Sequence, residues 1–251
     1  MRAQDLEPEM DAFLLRMIPE LAGEWGGATE EEIEAIERVA GRPLPDFYRW
    51  FLARMGANMG SLSYVTLDFS APTVLQCHAQ GLAVAEPKYL LIARESDELM
   101  PMHVFYDLDR TARGDALVTI ADVRTGERHD EYETFREMIA WAALYRSRVK
   151  ESPQTCQGSL LDNNGDVLAR LDPVMRRLGM VSPVPTGPYC GLFEGHRESM
   201  VTTAPLGDTP DIHAFRLGGD SASQLRRILG EITTVAGLEL NIDEWDPPLP
   251  D

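Results

Sequence analysis

The side chains through which this chain could do chemistry are five histidines, three cysteines and a large excess of carboxylates. The histidines, His78, His103, His129, His196 and His213, stand apart. No HxH or HExxH spacing brings two imidazoles to one metal ion. Cys77, Cys156 and Cys190 form no CxxC or CxxH pair, so neither a structural zinc site nor a disulfide framework is expected. Cys77 and His78 are adjacent, whereas a catalytic thiol and its base normally come from separate segments. No Gly-x-Ser-x-Gly elbow is present, which leaves a serine hydrolase without support. Asp107 to Asp115 has acids at spacings like those of a calcium loop. It lacks the ligand at the fifth position and the bidentate glutamate at the twelfth, and its glycine is misplaced, so it reads as a strand-end turn. Asp162-Asn163-Asn164-Gly165-Asp166 reads as an Asx turn leading into a helix cap. Gly218-Gly219-Asp220-Ser221 stands between a strand and a helix and could cradle a phosphate. Asp220 would repel that anion and no lysine is near, so capping is the better account. Gly187 to Gly191 is equally a binding loop or a buried connection.

What remains is acidity. The net charge is −18, and it runs along the whole chain: residues 1–150 hold 16 basic and 26 acidic groups, residues 151–251 hold 7 and 15. Nucleic acid and anionic lipid are poor partners for such a chain, because neutralising phosphate takes Lys and Arg. A basic protein is a permitted partner. No apolar run approaches the roughly 20 residues that span a bilayer. The N-terminal MRAQDLEPEMD lacks a signal-peptide core, and a reducing, cytoplasmic setting is expected.

The elements that must position these groups follow from periodicity. DLEPEMDAFLLRMIPELAGEW has apolar residues at helical spacing from Leu6 to Leu21. Thr29-Glu30-Glu31-Glu32 is a capping box, and Ile33, Ile36, Val39 and Ala40 form the buried stripe behind it. Gly41 and Pro43 stop that helix. A second helix follows from Asp46, with Phe47, Trp50, Phe51 and Met55 inward. SLSYVTLDF alternates as a strand, and PTVLQCHAQGLAVA is ambiguous. KYLLIARES, HVFYDLDR and ALVTIAD are consecutive strands of an antiparallel meander, closed by the helix DEYETFREMIAWAALYRSRV. Residues 151–159, ESPQTCQGS, read as a linker. Beyond them a helix, two strands, a helix and the strand ELNI make a smaller α/β unit.

The pattern T-x-x-E-I-x-x-x-E, then G-x-x-L-P-x-x-[FY]-x-x-[FL]-L, is carried by Thr29, Glu32, Ile33, Glu37, Gly41, Leu44, Pro45, Tyr48, Phe51 and Leu52. With the Asn58-Met59-Gly60 turn, the strands of YLLIARESDELMPMHVFYDLD and the closing helix EYETFREMIAWA, it resembles the SMI1/KNR4 (SUKH) superfamily over roughly Ala28 to Tyr145. Where that family usually has Asn-Gly-Gly, this chain has ANMG. The resemblance implies a mainly antiparallel sheet flanked by helices, and protein binding rather than catalysis. In bacteria such modules serve largely as immunity proteins, each neutralising one toxin.

The chain is therefore expected to be α+β, with an SMI1/KNR4-like domain over 1–150 that includes a helix at 5–24, a linker at 151–159 and an α/β domain over 160–251. The expected function is that of a non-catalytic bacterial immunity protein that binds a cognate toxin, for instance a basic nuclease whose phosphate substrate the carboxylates imitate. No cofactor, metal, nucleic-acid or membrane partner is expected. The alternative is a general interaction or regulatory module whose two halves dock different partners. Loops on a rigid sheet are where binding groups concentrate. The candidate contact residues are accordingly Glu95, Asp97, Glu98, Asp107, Asp109, Asp115, Asp122, Glu127, Asp130 and Glu131.

Overall fold

The capping box at Thr29 shows how closely local sequence dictates the first helices. Thr29 Oγ1 accepts the Glu32 amide at 3.2 Å, and Glu32 Oε2 accepts the Thr29 amide at 2.8 Å. The structure, a computed structural model, describes residues 2–82, 86–97, 99, 101–122, 124–163, 165–204 and 211–249. It divides into two compact units, Met1–Arg136 and Glu137–Asp251. Both are α+β, each built on a five-stranded antiparallel sheet.

In the first unit, α1 (Pro8–Met17) and α2 (Leu21–Glu24) precede α3 (Glu30–Ala40) and α4 (Asp46–Met55). Gly41 closes α3 in the left-handed region, at φ 66°, where glycine pays no Cβ penalty. Then come β1 (Leu67–Asp68), α5 (Ala71–Ala79), β2 (Tyr89–Glu95), β3 (Met102–Ala112), β4 (Asp115–Asp122) and β5 (Arg128–Tyr132). The strands lie side by side in chain order. Arg113 and Gly114 form the two-residue turn between β3 and β4, with φ of 52° and 74°, the conformation that matches a hairpin's twist. The core is aromatic. The Phe135 ring lies 4.8 Å from Phe51, 5.4 Å from Phe69, 5.8 Å from Phe47 and 5.9 Å from Tyr106.

Phe135 opens α6 (Phe135–Leu144), which runs on as a π-helical turn over Tyr145–Lys150. The boundary between the units falls inside α6. The second unit continues with β6 (Gln154–Leu161), α7 (Val167–Arg177), β7 (Cys190–Glu194), β8 (Ser199–Thr203), β9 (Ile212–Gly219), α8 (Ala222–Glu231) and β10 (Glu239–Asp246). Its strand order is β10-β6-β9-β8-β7. Leu171 and Met175 of α7 and Leu225 and Ile228 of α8 pack with Cys156, Leu160, Phe215 and Leu217 on one sheet face. The opposite face carries Arg216, with Trp141 and Tyr145 of the α6 segment above it.

Three sequence expectations are corrected. Residues 151–159 are not a linker: Gln154–Leu161 is an inner strand, paired on both sides. Its alternation buries Gln154, Cys156, Gly158 and Leu160. The second unit contains no parallel strand pair among the described residues, so it is not α/β. SLSYVTLDF is mostly loop, with a short 3-10 turn at Gly60–Leu62 and only Leu67–Asp68 in the sheet. The ambiguous segment is α5, and its residues 83–85 fall outside the described ones. No helix among the described residues is long and apolar enough to cross a membrane.

Candidate functional site

The carboxylates singled out in the sequence occupy very different surroundings. Asp115 is buried at the start of β4. It accepts the Tyr106 hydroxyl at 2.8 Å, the Ala116 amide at 2.8 Å and the Arg136 amide at 3.0 Å. Burial nevertheless pushes its pKa up to about 6. Asp107 is also buried, and takes the Asp109 amide. These two belong to the interior, not to a contact face. Asp109 pairs with Arg42 at 2.8 Å, Asp130 with Arg110 at 2.6 Å and Asp122 with Arg124 at 3.4 Å, so their charge is largely neutralised locally. Glu131 is the extra residue of a bulge where β5 pairs with β4. It is half-buried, and desolvation lifts its pKa to about 7. Glu127 is exposed in the turn before β5. Glu98 lies outside the described residues.

Glu95 and Asp97 are different. They stand beside a recess of about 490 Å³ with Met55, Met59, Tyr64 and Phe69 among its apolar walls and Asp68 and Ser96 among its polar ones. The loop from Gly56 to Ser70 is held open by local bonds. Gly26 and Asn58 pair backbone to backbone at 2.8 and 3.0 Å, and Asn58 Nδ2 donates to the Glu24 carbonyl at 2.9 Å. Gly60 turns the chain at φ 57°, where a Cβ would lie 2.6 Å from Glu24 Cβ. Asp68 then accepts the Ser70 amide at 2.8 Å and the Thr73 hydroxyl at 2.6 Å, so the chain bends into α5 instead of continuing as a strand. Burial pushes the Asp68 pKa up, but the bonds from Thr73 and Ser70 outweigh it and hold the carboxyl below its usual range.

The other carboxylates at the recess are tied down in the same way. Glu95 accepts the Thr66 hydroxyl at 2.9 Å and the Asp97 amide at 2.8 Å. Asp97 accepts the Leu99 amide at 2.8 Å. Glu24 accepts the Ser61 amide at 2.8 Å. His103 stands behind Glu95 and accepts its amide at Nδ1, with burial pushing the imidazole pKa down. Among the described residues none of Glu24, Asp68, Glu95 and Asp97 forms an ion pair, in contrast to the acids of β3 to β5. Arg94, opposite Asp68 across β1 and β2, acts on it only through space. Val65 is fully exposed at the rim. The arrangement is a recess of mixed polar and apolar walls, with Asp68 in its lining and Glu24, Glu95 and Asp97 next to residues that line it or lie close by, none of them ion-paired among the described residues. It can hold a cationic side chain by its apolar stem. Glu24 and Asp68 were missed in the sequence because the contacts that gather them are long-range.

No family model matches the chain, and neither does any curated protein. Geometry alone therefore bears on the remaining titratable groups. The buried Cys190 thiol donates to Glu137 Oε2 at 3.6 Å, and Glu137 Oε1 accepts the Gly187 amide at 3.1 Å. The stretch around Gly187 is thus tied to α6, but it is only partly buried, with Pro188 exposed and Cys190 and Gly191 enclosed. His213 is buried with Nδ1 3.3 Å from Thr202 Oγ1, which accepts the Gly191 amide. Desolvation pushes its pKa down to about 4, against the smaller opposing effects of Asp166 and the Pro188 backbone. Cys190 pairs with Thr203, whereas His213 shares a face with Phe215, the partner of Thr202. Thiol and imidazole therefore point to opposite sides of the sheet and cannot act as a nucleophile and its base. Cys77 is buried on α5, and burial raises its pKa, keeping it a neutral thiol. Ser221 caps α8 and Asp166 caps α7. Among the described residues no group of three or more His, Cys, Asp or Glu is placed to hold a metal ion.

Proposed function

We propose that this chain is an immunity protein of the SMI1/KNR4 (SUKH) type, which binds a cognate bacterial toxin and blocks it without chemistry of its own. The observation that carries this reading is the recess in the first unit. Four carboxylates, Asp68 in the lining and Glu24, Glu95 and Asp97 near it, stand at a recess whose walls include Met55, Met59, Tyr64 and Phe69, and among the described residues none of the four has an ion-pair partner. The chain as a whole carries −18. A basic partner, such as a nuclease shaped to hold phosphate, gains a substrate-like field from this surface and an apolar anchor from the hollow. The residues of the family resemblance act as scaffold: Thr29 and Glu32 cap α3, and Tyr48, Phe51 and Leu52 fill the core. A motif of that kind names a frame for binding, not a reaction.

Co-expression with the product of the adjacent reading frame is the test. The expected outcome is relief of toxicity and a complex that survives size-exclusion chromatography. Persistent toxicity together with no complex would end the proposal. The division into two units supports a second reading, a regulatory module in which each half docks a separate partner. A gene standing alone, with no toxin or secretion locus beside it, favours that alternative.

A further inference from the structure

The second unit contains a different kind of site. On the sheet face under Trp141 and Tyr145, one row of side chains runs across the strands in register: Arg216 on β9, Gln157 on β6 and Glu244 on β10. Adjacent strands lie about 4.8 Å apart, so the outer two backbones are about 10 Å apart. A cavity of about 230 Å³ opens on this row, with Lys150, and Asp246 two residues along β10 from Glu244, also among its walls.

Arg216 is half-buried. Its guanidinium lies 5.2 Å from the Tyr145 ring centre and 5.7 Å from that of Trp141. The two rings stack at 5.1 Å. Stacking fixes the plane of the guanidinium but satisfies none of its five N–H donors. Among the described residues Arg216 has neither an ion pair nor a hydrogen bond, and the same holds for the exposed Lys150. Elsewhere in this unit arginines find carboxylates: Arg170 with Asp162, Arg176 with Asp172, and Arg197 with Asp220. On the far wall, among the described residues the Glu244 carboxylate takes one bond, from Gln157 Nε2 at 2.8 Å, and no cation. Gln157 thus stands between Arg216 and Glu244 and keeps them from pairing with each other.

A plain anion would meet Glu244 and Asp246 in this cavity, and a plain cation would meet Arg216 and Lys150. Only a ligand bearing both charges, one at each end, matches both walls. The volume is below the roughly 300 Å³ at which cavities begin to take drug-sized ligands. We propose that this cavity binds a small zwitterion with a carboxylate at one end and an ammonium or guanidinium at the other, as in an ω-amino acid. Arg216 and Lys150 hold the carboxylate; Glu244 and Asp246 hold the cation. This assignment is independent of the toxin partner proposed for the first unit.

Calorimetric titration of the full chain with 5-aminopentanoate and with 6-aminohexanoate tests it, with hexanoate and pentylamine as single-charge controls. Saturable binding of both zwitterions is expected, with each control weaker by about tenfold or more, the worth of one charge-assisted bond. Arg216→Met and Glu244→Gln should each weaken the zwitterions by a similar factor, with unfolding midpoints recorded alongside. Should Arg216→Met unfold for want of its stacking, Glu244→Gln decides alone, because Glu244 is exposed on an edge strand. Absence of saturable zwitterion binding overturns the assignment. So does equal affinity for either control, or unchanged binding in Glu244→Gln.

Discussion

Asp115 shows what one buried carboxylate does to stability. Its pKa rises from 3.8 to about 6 on folding because desolvation outweighs three accepted hydrogen bonds. Between those values the folded chain holds more protons than the unfolded one, so stability falls as pH rises through that window. A shift of this size corresponds to about 3 kcal/mol in all. Glu131, raised from 4.5 to about 7, adds a slope of the same sign at slightly higher pH. Denaturant unfolding at pH 4.5, 6 and 7.5 should therefore show declining stability over this interval. Asp115→Asn should flatten the lower part of the slope and leave the upper part, which belongs to Glu131. It should also cost about 1–3 kcal/mol, because an amide NH₂ cannot accept the Arg136 amide. Nothing in the sequence distinguishes Asp115 from Asp109. Both sit in polar, turn-rich surroundings, and only the tertiary packing of Tyr106 and the α6 N-terminus separates them.

At the scale of elements, what was legible depended on how local the determinants are. The capping box of α3, the RPLPD break before α4 and the meander from β2 to β4 rest on neighbours within a few residues, and they can be read directly. The strand β6 could not be. Its buried positions are Gln154, Cys156, Gly158 and Leu160, of which the first three are small or polar and look like loop. Gly158 is there for a reason: a Cβ on it would lie 2.0 Å from the Asn241 carbonyl oxygen of β10. Backbone, not a flexible side chain, occupies that space. Gly158→Ala should therefore force β10 away from β6 and destabilise the second unit by about 3 kcal/mol, at the upper end for point substitutions. Hydrogen exchange should localise the loss to the amides of β10 and β6, with β7 and β8 less affected. Uniform protection across that sheet in the variant would show that the strands move apart at no cost. The loop at the recess was misread for the converse reason. SLSYVTLDF alternates like a strand, but Asn58, Ser61 and Asp68 commit their bonds to Glu24, Ser70 and Thr73.

Over the whole molecule the charge of −18 draws any basic partner from a distance, so net charge alone predicts salt-sensitive association without saying where contact occurs. Local pairing supplies the place. Asp97 and Glu127 are both exposed and bear the same charge, yet Asp97 adjoins Ser96 in the lining of the recess, and Glu127 adjoins none of its lining residues. Asp97→Lys and Glu127→Lys therefore change the net charge equally and differ only in location. If the recess is the docking surface, Asp97→Lys should slow association with the copurified partner about five- to tenfold at low ionic strength, in the manner of a rim charge. Glu127→Lys, at a position not among the residues at the recess, should slow it less, and hardly at all at physiological salt, where the Debye length falls to about 8 Å. The gap between them should narrow as salt is raised, while dissociation rates stay nearly level. Stopped-flow association at two ionic strengths measures all of this. Equal slowing in both variants would mean that the acidity acts only as a diffuse field, and that the partner docks away from the recess.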